Sequence, residues 1–293
     1  MRFYIVVLCL FVLAGCKSSP NTLEQEIKNV IQDKNATVGV AVIYSGKDTL
    51  VINGEQHYPL MSVFKFHIAL AVLDKMNREN IPLDTIILVS QEELLPDTYS
   101  PLKEKYPEGN VELSLRDLLI YSVAQSDNNA CDILLRYAGG PEAVEQYVAG
   151  LGVTDVAIKA SEEVMNEKTE NQYLNWSTPL AAVRLMEIFL NKDLFAGEYK
   201  EFLETTLLAT STGTNKLKGL LPADVMLGHK TGSSSRDEMG KRIADNDLGF
   251  VRLPDGSYYT IVVFVMNSME NDETNAGIAA EISKIVYNRY SKK

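Results

Sequence analysis

Cysteine is scarce: the 293 residues hold only Cys9, Cys16 and Cys131. Two of these fall within the first twenty residues, so one ordinary thiol remains and no internal disulfide framework can be built. Cys131 lies in an apolar helical stretch and reads as a buried small hydrophobe. Histidine is equally rare. His57, His67 and His229 show neither H-x-H nor H-E-x-x-H spacing, so hydrolysis by a bound metal has no support and no metal or cofactor is expected. His67 falls within an apolar run and reads as a satisfied interior residue. No apolar run reaches the roughly 20 residues of a bilayer span. Basic residues are outnumbered, 28 Lys and Arg against 39 Asp and Glu, for a net charge of -11. Such a surface repels phosphate backbones and argues against a nucleic-acid partner. What remains is an ordinary globular composition, 46% hydrophobic and 23% charged. A chain of this size buries roughly three-quarters of its unfolded surface without staples.

The N-terminus is an address. Met1–Arg2 gives a short basic start, and residues 3–13 form an apolar run suited to the core of a secretory signal. Leu13-Ala14-Gly15-Cys16 resembles the lipobox of bacterial lipoproteins, in which the cysteine is acylated and the chain is cut before it. The alternative is an ordinary signal peptide cut near the same small residues. The expected organisation is a signal peptide over 1–15, a polar tether over 16–21 and one folded domain over 22–293. The protein is then exported to the periplasm, with a lipid at Cys16 as its one membrane attachment and a monomer as the default state.

Residues 23–33 have helical spacing, and 38–44 and 49–52 form a hairpin across Ser45-Gly46-Lys47-Asp48. Residues 63–76 are apolar almost all round, which marks a helix buried on every side. The pattern is helical from Leu113 to Phe202, with breaks at 139–141, 150–156 and 161–179. Strand signals return at 225–229, 249–253 and 258–265, before an amphipathic helix over 274–290. The strands at the two ends can join only in one antiparallel sheet. The expectation is an α/β sandwich, its sheet flanked by helices, with an inserted all-α lobe over roughly 63–220 and a cleft between the two lobes.

Ser62-Val63-Phe64-Lys65 opens the buried helix. The three-residue spacing puts hydroxyl and amine on one face, a turn apart, so Ser62 is a candidate nucleophile with its own neighbouring base. A second copy, Ser100-Pro101-Leu102-Lys103, lies in a polar, proline-containing loop with no helix behind it, so context favours Ser62. Ser126-Asp127-Asn128 sits at a helix-to-helix junction after a helix over 113–123. Lys230-Thr231-Gly232 ends the strand over 225–229, with a glycine that lets a ligand approach the backbone.

These three motifs, in this order, resemble the set of the penicillin-recognising serine enzymes. With Glu162 added, the chain after residue 21 resembles a class A serine β-lactamase, nearest the subgroup of PER-type extended-spectrum enzymes. The resemblance implies the serine β-lactamase/DD-peptidase-like fold and hydrolysis of penicillins and cephalosporins through an acyl-enzyme, conferring antibiotic resistance. It implies Ser62 as nucleophile and Lys65 as the group that takes or relays its proton, once burial and the nearby cation Lys230 make it neutral. It also implies Ser126 as proton donor to the leaving nitrogen and the amides of Ser62 and Ser233 as the oxyanion hole. Asn128 would hold the substrate's side-chain amide, and Lys230 and Thr231, beside Gly232, its carboxylate. The deacylating base follows a Glu-x-x-x-Asn spacing that three pairs satisfy. Glu162 with Asn166 fits best by its distance from Ser126 and from Pro179. Glu167 with Asn171 is the runner-up, and Glu187 reads as solvent-exposed, as does Glu163.

Three departures from the family pattern stand out. An arginine–aspartate bridge that pins the glutamate's loop cannot form, because Ala160 and Asn175 stand there, which leaves Trp176 and Tyr173 to hold the loop. Asn246 replaces an arginine, and Lys216 falls where some members place an alternative, so it is assigned as a secondary carboxylate anchor against the reading of a solvated surface lysine. Met61 and Ser234 stand where carbapenem-hydrolysing members carry a disulfide. Tyr99 either lines the cleft or covers a loop. Competing readings are a D-alanyl-D-alanine peptidase, which shares three of the four motifs, and a β-lactam receptor that does not turn over.

Overall fold

The computed structural model describes residues 22–292. The expected signal peptide (1–15), the lipidation site Cys16 and the tether (16–21) lie outside the described residues. Helix α1 (Leu23–Ile31) starts on Thr22, whose hydroxyl accepts the Gln25 amide. Strands β1 (Thr37–Tyr44) and β2 (Asp48–Ile52) form the hairpin, with Ser45 and Gly46 both at positive φ in its turn. The short β3 (Tyr58–Pro59) leads through a 3-10 turn, Met61–Val63, into α2 (Phe64–Glu79). There follow β4 (Ile86–Val89), α3 (Pro101–Lys105), β5 (Val111–Ser114), α4 (Leu115–Ala124), α5 (Asn128–Ala138) and α6 (Pro141–Gly150). Next come β6 (Val156–Ala157), α7 (Glu162–Glu167), β7 (Trp176–Ser177), α8 (Pro179–Asn191) and α9 (Gly197–Leu208). The chain closes with β8 (Met226–Ser233), β9 (Arg242–Arg252), β10 (Tyr258–Ser268) and α10 (Asp272–Tyr290).

The two ends meet in one five-stranded antiparallel sheet, ordered β2-β1-β10-β9-β8. Side chains alternate across it with period two. Val38, Val40 and Val42 pack with Ile27 of α1 and Ile278 and Ile282 of α10. On the opposite face, Ala41, Ile43, Val262 and Phe264 join the helical middle of the chain. Both faces are covered, which is why these strands are apolar without a break. Helix α2 runs through the second core, buried without a gap from Phe64 to Leu73. The architecture is the expected sandwich.

Local boundaries differ from the sequence reading in three places. Leu113 and Ser114 end strand β5, and the helix begins at Leu115. The cause is a capping box, in which Ser114 accepts the Asp117 amide and Asp117 accepts the Ser114 amide. Lys230-Thr231-Gly232 lies within β8 and does not follow it. Ser100-Pro101-Leu102-Lys103 is no open loop, because Ser100 caps the short helix α3. Strands β3, β7 and β6 make a second small sheet and β4 and β5 a ribbon, all too short for periodicity to reveal.

His67 is buried, but it is only half satisfied: it is bonded to the Val63 backbone, and its Nδ1 has no hydrogen-bond partner. Burial holds its imidazole down at about 4, against 6.5 for a free ring. The unfolded chain therefore takes up a proton near pH 6.5 that the folded chain refuses until about pH 4, so His67 lowers stability as pH falls through that window. In His67→Leu, urea titrations from pH 7 to pH 4 should show a loss of stability smaller by about 3 kcal/mol than in the parent protein.

Candidate active site

Ser62 occupies the 3-10 turn in front of α2, directly after Met61, which is held at φ 46°. A positive φ is costly for a residue with a side chain and persists only where surrounding structure imposes it. Strand β8 supplies that constraint. A Cβ on Gly232 would stand 2.5 Å from the Leu60 carbonyl oxygen and 3.0 Å from the Ser62 nitrogen. Glycine is therefore needed for β8 to lie against the backbone of the nucleophile's turn.

The Lys65 ammonium is fully buried and donates to Ser62 Oγ at 2.8 Å, the Ser126 carbonyl at 2.8 Å and Asn128 Oδ1 at 2.6 Å. It also lies 2.7 Å from Glu162 Oε1, which in turn accepts from the Ser62 hydroxyl at 3.3 Å. One carboxylate thus reaches both the hydroxyl and its neighbouring amine. Glu162 is aimed there by Asp132, a residue the sequence reading passed over. Asp132 accepts the backbone amides of Glu162 and Glu163 at 2.8 and 2.9 Å, at the first turn of α7. Burial raises the Asp132 carboxyl to about 6, the two amides pulling the other way. Its signal was available: Asp132 lies four residues after Asn128, on the same helix face.

Ser126 closes α4 at φ 62°, and its hydroxyl accepts from Lys230 Nζ at 2.9 Å. Lys230 is wholly buried and also donates to the Thr231 carbonyl. Burial and the neighbouring Lys65 push its ammonium well below the usual lysine range, while Glu162 and Asp247 oppose the shift. Thr231 shares a hydrogen bond with Thr212 at 2.6 Å. Ser62, Ser126, Asn128, Glu162, Thr231 and Ser233 all face one cleft of about 570 Å³. Gly232, Asn166 and Tyr99 also border it; Asn166 Nδ2 is bound to the Asp97 carbonyl, and the Tyr99 ring stays 55% exposed at the edge.

Other candidates separate from this group. Ser100 donates to Asp127 and caps α3, while Lys103 Nζ turns away to the Pro107 carbonyl. Glu167 is exposed, as Glu163 is. Glu187 is not the solvent-facing residue expected. It is half-buried, accepting from Tyr258 and Thr260 across the α8–β10 contact, and burial raises its carboxyl. Lys216 is not a solvated surface lysine either: it is buried against Asp245, Ser233 and the Asn246 carbonyl. Asn246 itself is structural, bonding Pro59, Leu60 and Val265 backbone atoms. Cys131 is fully buried, and burial pushes its thiol well up.

The loop that carries Glu162 is held chiefly by Asn175, the residue read as marking a missing bridge. Its fully buried amide accepts the Lys159 and Ala160 amides and donates to the Ala160 carbonyl. Trp176 and Tyr173 add to this, the first stacked on His57 and paired in β7, the second donating to Asn267.

The sequence profile of the beta-lactamase enzyme family matches residues 22–290. A beta-lactamase of Bacteroides uniformis is 47% identical, over 97% of this chain and 98% of its own. The chain belongs to the beta-lactamase family. The extended-spectrum beta-lactamase PER-1 of Pseudomonas aeruginosa is 36% identical, over 92% of this chain and 88% of its own. A crystal structure of a class A beta-lactamase from Bacteroides cellulosilyticus superposes with a TM-score of 0.90 at 50% identity, covering 92% of this chain and 98% of that one. This protein is accordingly a class A serine β-lactamase, related to the PER group, and a hydrolase of β-lactams.

Removing the Asn175 amide leaves buried backbone groups of this β-lactamase without partners. Asn175→Ala should lose about 2 to 4 kcal/mol of stability in denaturant titrations, with turnover falling more steeply than the folded fraction.

Proposed function

We propose that Ser62 attacks the lactam carbonyl and that its proton ends on the Glu162 carboxylate, relayed through Lys65, which hands one of its own protons to Glu162 as it takes the serine's. The amides of Ser62 and Ser233 would hold the oxyanion, and Ser126 would protonate the departing nitrogen, resupplied through Lys230. Asn128 binds the acyl side-chain amide, Lys230 and Thr231 bind the carboxylate, and Asn166 and Tyr99 border the space left for substituents. Glu162 then primes a water that frees the ester. Penicillins and cephalosporins are the substrates, and similarity to PER-1, an extended-spectrum beta-lactamase, supports a broad range among them. The protein acts as an exported monomer held to the membrane by lipid on Cys16, and it confers resistance on its host.

The observation that carries this reading is the single Glu162 oxygen within 3.3 Å of Ser62 Oγ and 2.7 Å of Lys65 Nζ. A peptidase or a receptor built on the other three motifs alone would lack this carboxylate beside the nucleophile. Here a carboxylate stands beside the ester that acylation forms, as hydrolysis requires.

Sustained hydrolysis of a chromogenic cephalosporin by the purified protein is the expected result. A burst of one equivalent would favour the receptor, and release of D-alanine from a peptide would favour the peptidase. Glu162→Gln should acylate and then stall, leaving an adduct in the mass spectrum; an adduct in Glu167→Gln instead would move the base. Ser62→Ala should lose turnover by about three orders of magnitude or more. Ser100→Ala should lose only about 1 kcal/mol of stability, as a helix cap does, and keep its turnover.

A further inference from the structure

The wall of the cleft formed by β8 and β9 contains a buried ion pair with one outlet to the site. Lys216 Nζ lies 2.7 Å from Asp245 Oδ1, 2.8 Å from Ser233 Oγ and 3.2 Å from the Asn246 carbonyl oxygen. Two of the three N–H donors of the ammonium make hydrogen bonds, to Ser233 and Asn246, and the ion pair with Asp245 holds its charge in the wall. The side chains of Lys216 and Asp245 are each only 7% exposed. The directions of the other bonds follow from the chemistry of the partners. An ammonium only donates and a carboxylate only accepts, so Ser233 takes a hydrogen bond from Lys216 and gives its own hydrogen to Asp245, 2.7 Å away. Ser233 lines the cleft. It therefore shows the cleft an oxygen with lone-pair density and no hydrogen. Lys230 differs, since its hydrogen bonds go to two uncharged groups, the Ser126 hydroxyl and the Thr231 carbonyl.

We propose that Asp245 is a specificity-determining positioning residue, which keeps the Lys216 ammonium and the Ser233 hydroxyl hydrogen turned into the wall and away from the substrate carboxylate. Recognition of that anion is left to Lys230 and Thr231, and Lys216 is no direct anchor in the resting enzyme. The grip on the carboxylate is consequently weaker than the residues present could supply. Losing the counter-charge at Asp245 frees a cation and a hydroxyl donor beside the carboxylate's place, and the substrate itself becomes the partner of Lys216. The proposal rests on the β-lactam reading above.

The test compares a chromogenic cephalosporin with its carboxylate methyl ester, using the full chain. Turnover of the free acid by the parent protein tests the β-lactam reading; the preference for acid over ester, as a ratio of kcat/KM, tests the proposal. In Asp245→Asn this ratio should rise about tenfold, the worth of one hydrogen bond to a charged group, and the gain should lie in KM with kcat little changed. An unchanged or lower ratio would overturn the proposal. Should that variant fail to fold, Asp245→Asn/Lys216→Met decides, because a buried ion pair replaced by neutral side chains of similar size is often tolerated. In the double variant the ratio should stay within about twofold of the parent, whereas a fall of about tenfold would make Lys216 a direct carboxylate ligand and sink the idea.

Discussion

A lysine ammonium taken wholly out of water loses several kcal/mol of hydration, which only close and well-directed partners can offset. Lys65 is such a group. Its partners come from four places in the chain: the turn before α2, the end of α4, the start of α5 and the first turn of α7. Each place carries a local feature that makes sense only with that charge at the centre. Ser126 holds φ 62° and so turns its carbonyl to the amine. Asn128 is fixed from behind by its own bond to Thr98. Glu162 is seated by the two amides that Asp132 accepts. The apolar core brings these elements together, and the ammonium fixes how their polar ends meet at the floor of the cleft.

The same economy of charge runs through the rest of the site. Two buried lysines, Lys65 and Lys230, stand close enough that the second is pushed down by the first. Burial is the larger cause of that shift, and Glu162 and Asp247 act against it. Lys216 adds no net charge, being matched by Asp245.

The sheet and the main helices could be read from the residues because each repeats one simple pattern over many positions. Runs rich in β-branched residues marked β1 and β10, and a longer unbroken apolar stretch marked α2. The three motifs were legible because their settings are local: a helix start, a junction, a strand. Choosing among Glu162, Glu167 and Glu187 was harder, since a four-residue spacing says nothing about where a helix is aimed. That is decided by Asp132, thirty residues away in sequence. The surroundings of Lys216 and Glu187 escaped for the same reason, since their burial comes from Asp245 and from Tyr258 and Thr260 on other elements. The Leu113 boundary failed because an apolar run masked a serine cap that was itself present in the sequence.

Asn175 has a consequence of its own. Where the resemblance leads one to look for opposite charges, a neutral amide ties the loop's two ends together from inside. Counter-ions screen a bridge of charges when it is exposed to solvent, and acid discharges its carboxylate, but an uncharged knot offers neither of them a handle. The part of the fastening that Asn175 supplies is therefore indifferent to the brine or sourness of the surroundings, unlike the Asp132 carboxylate that seats Glu162 itself.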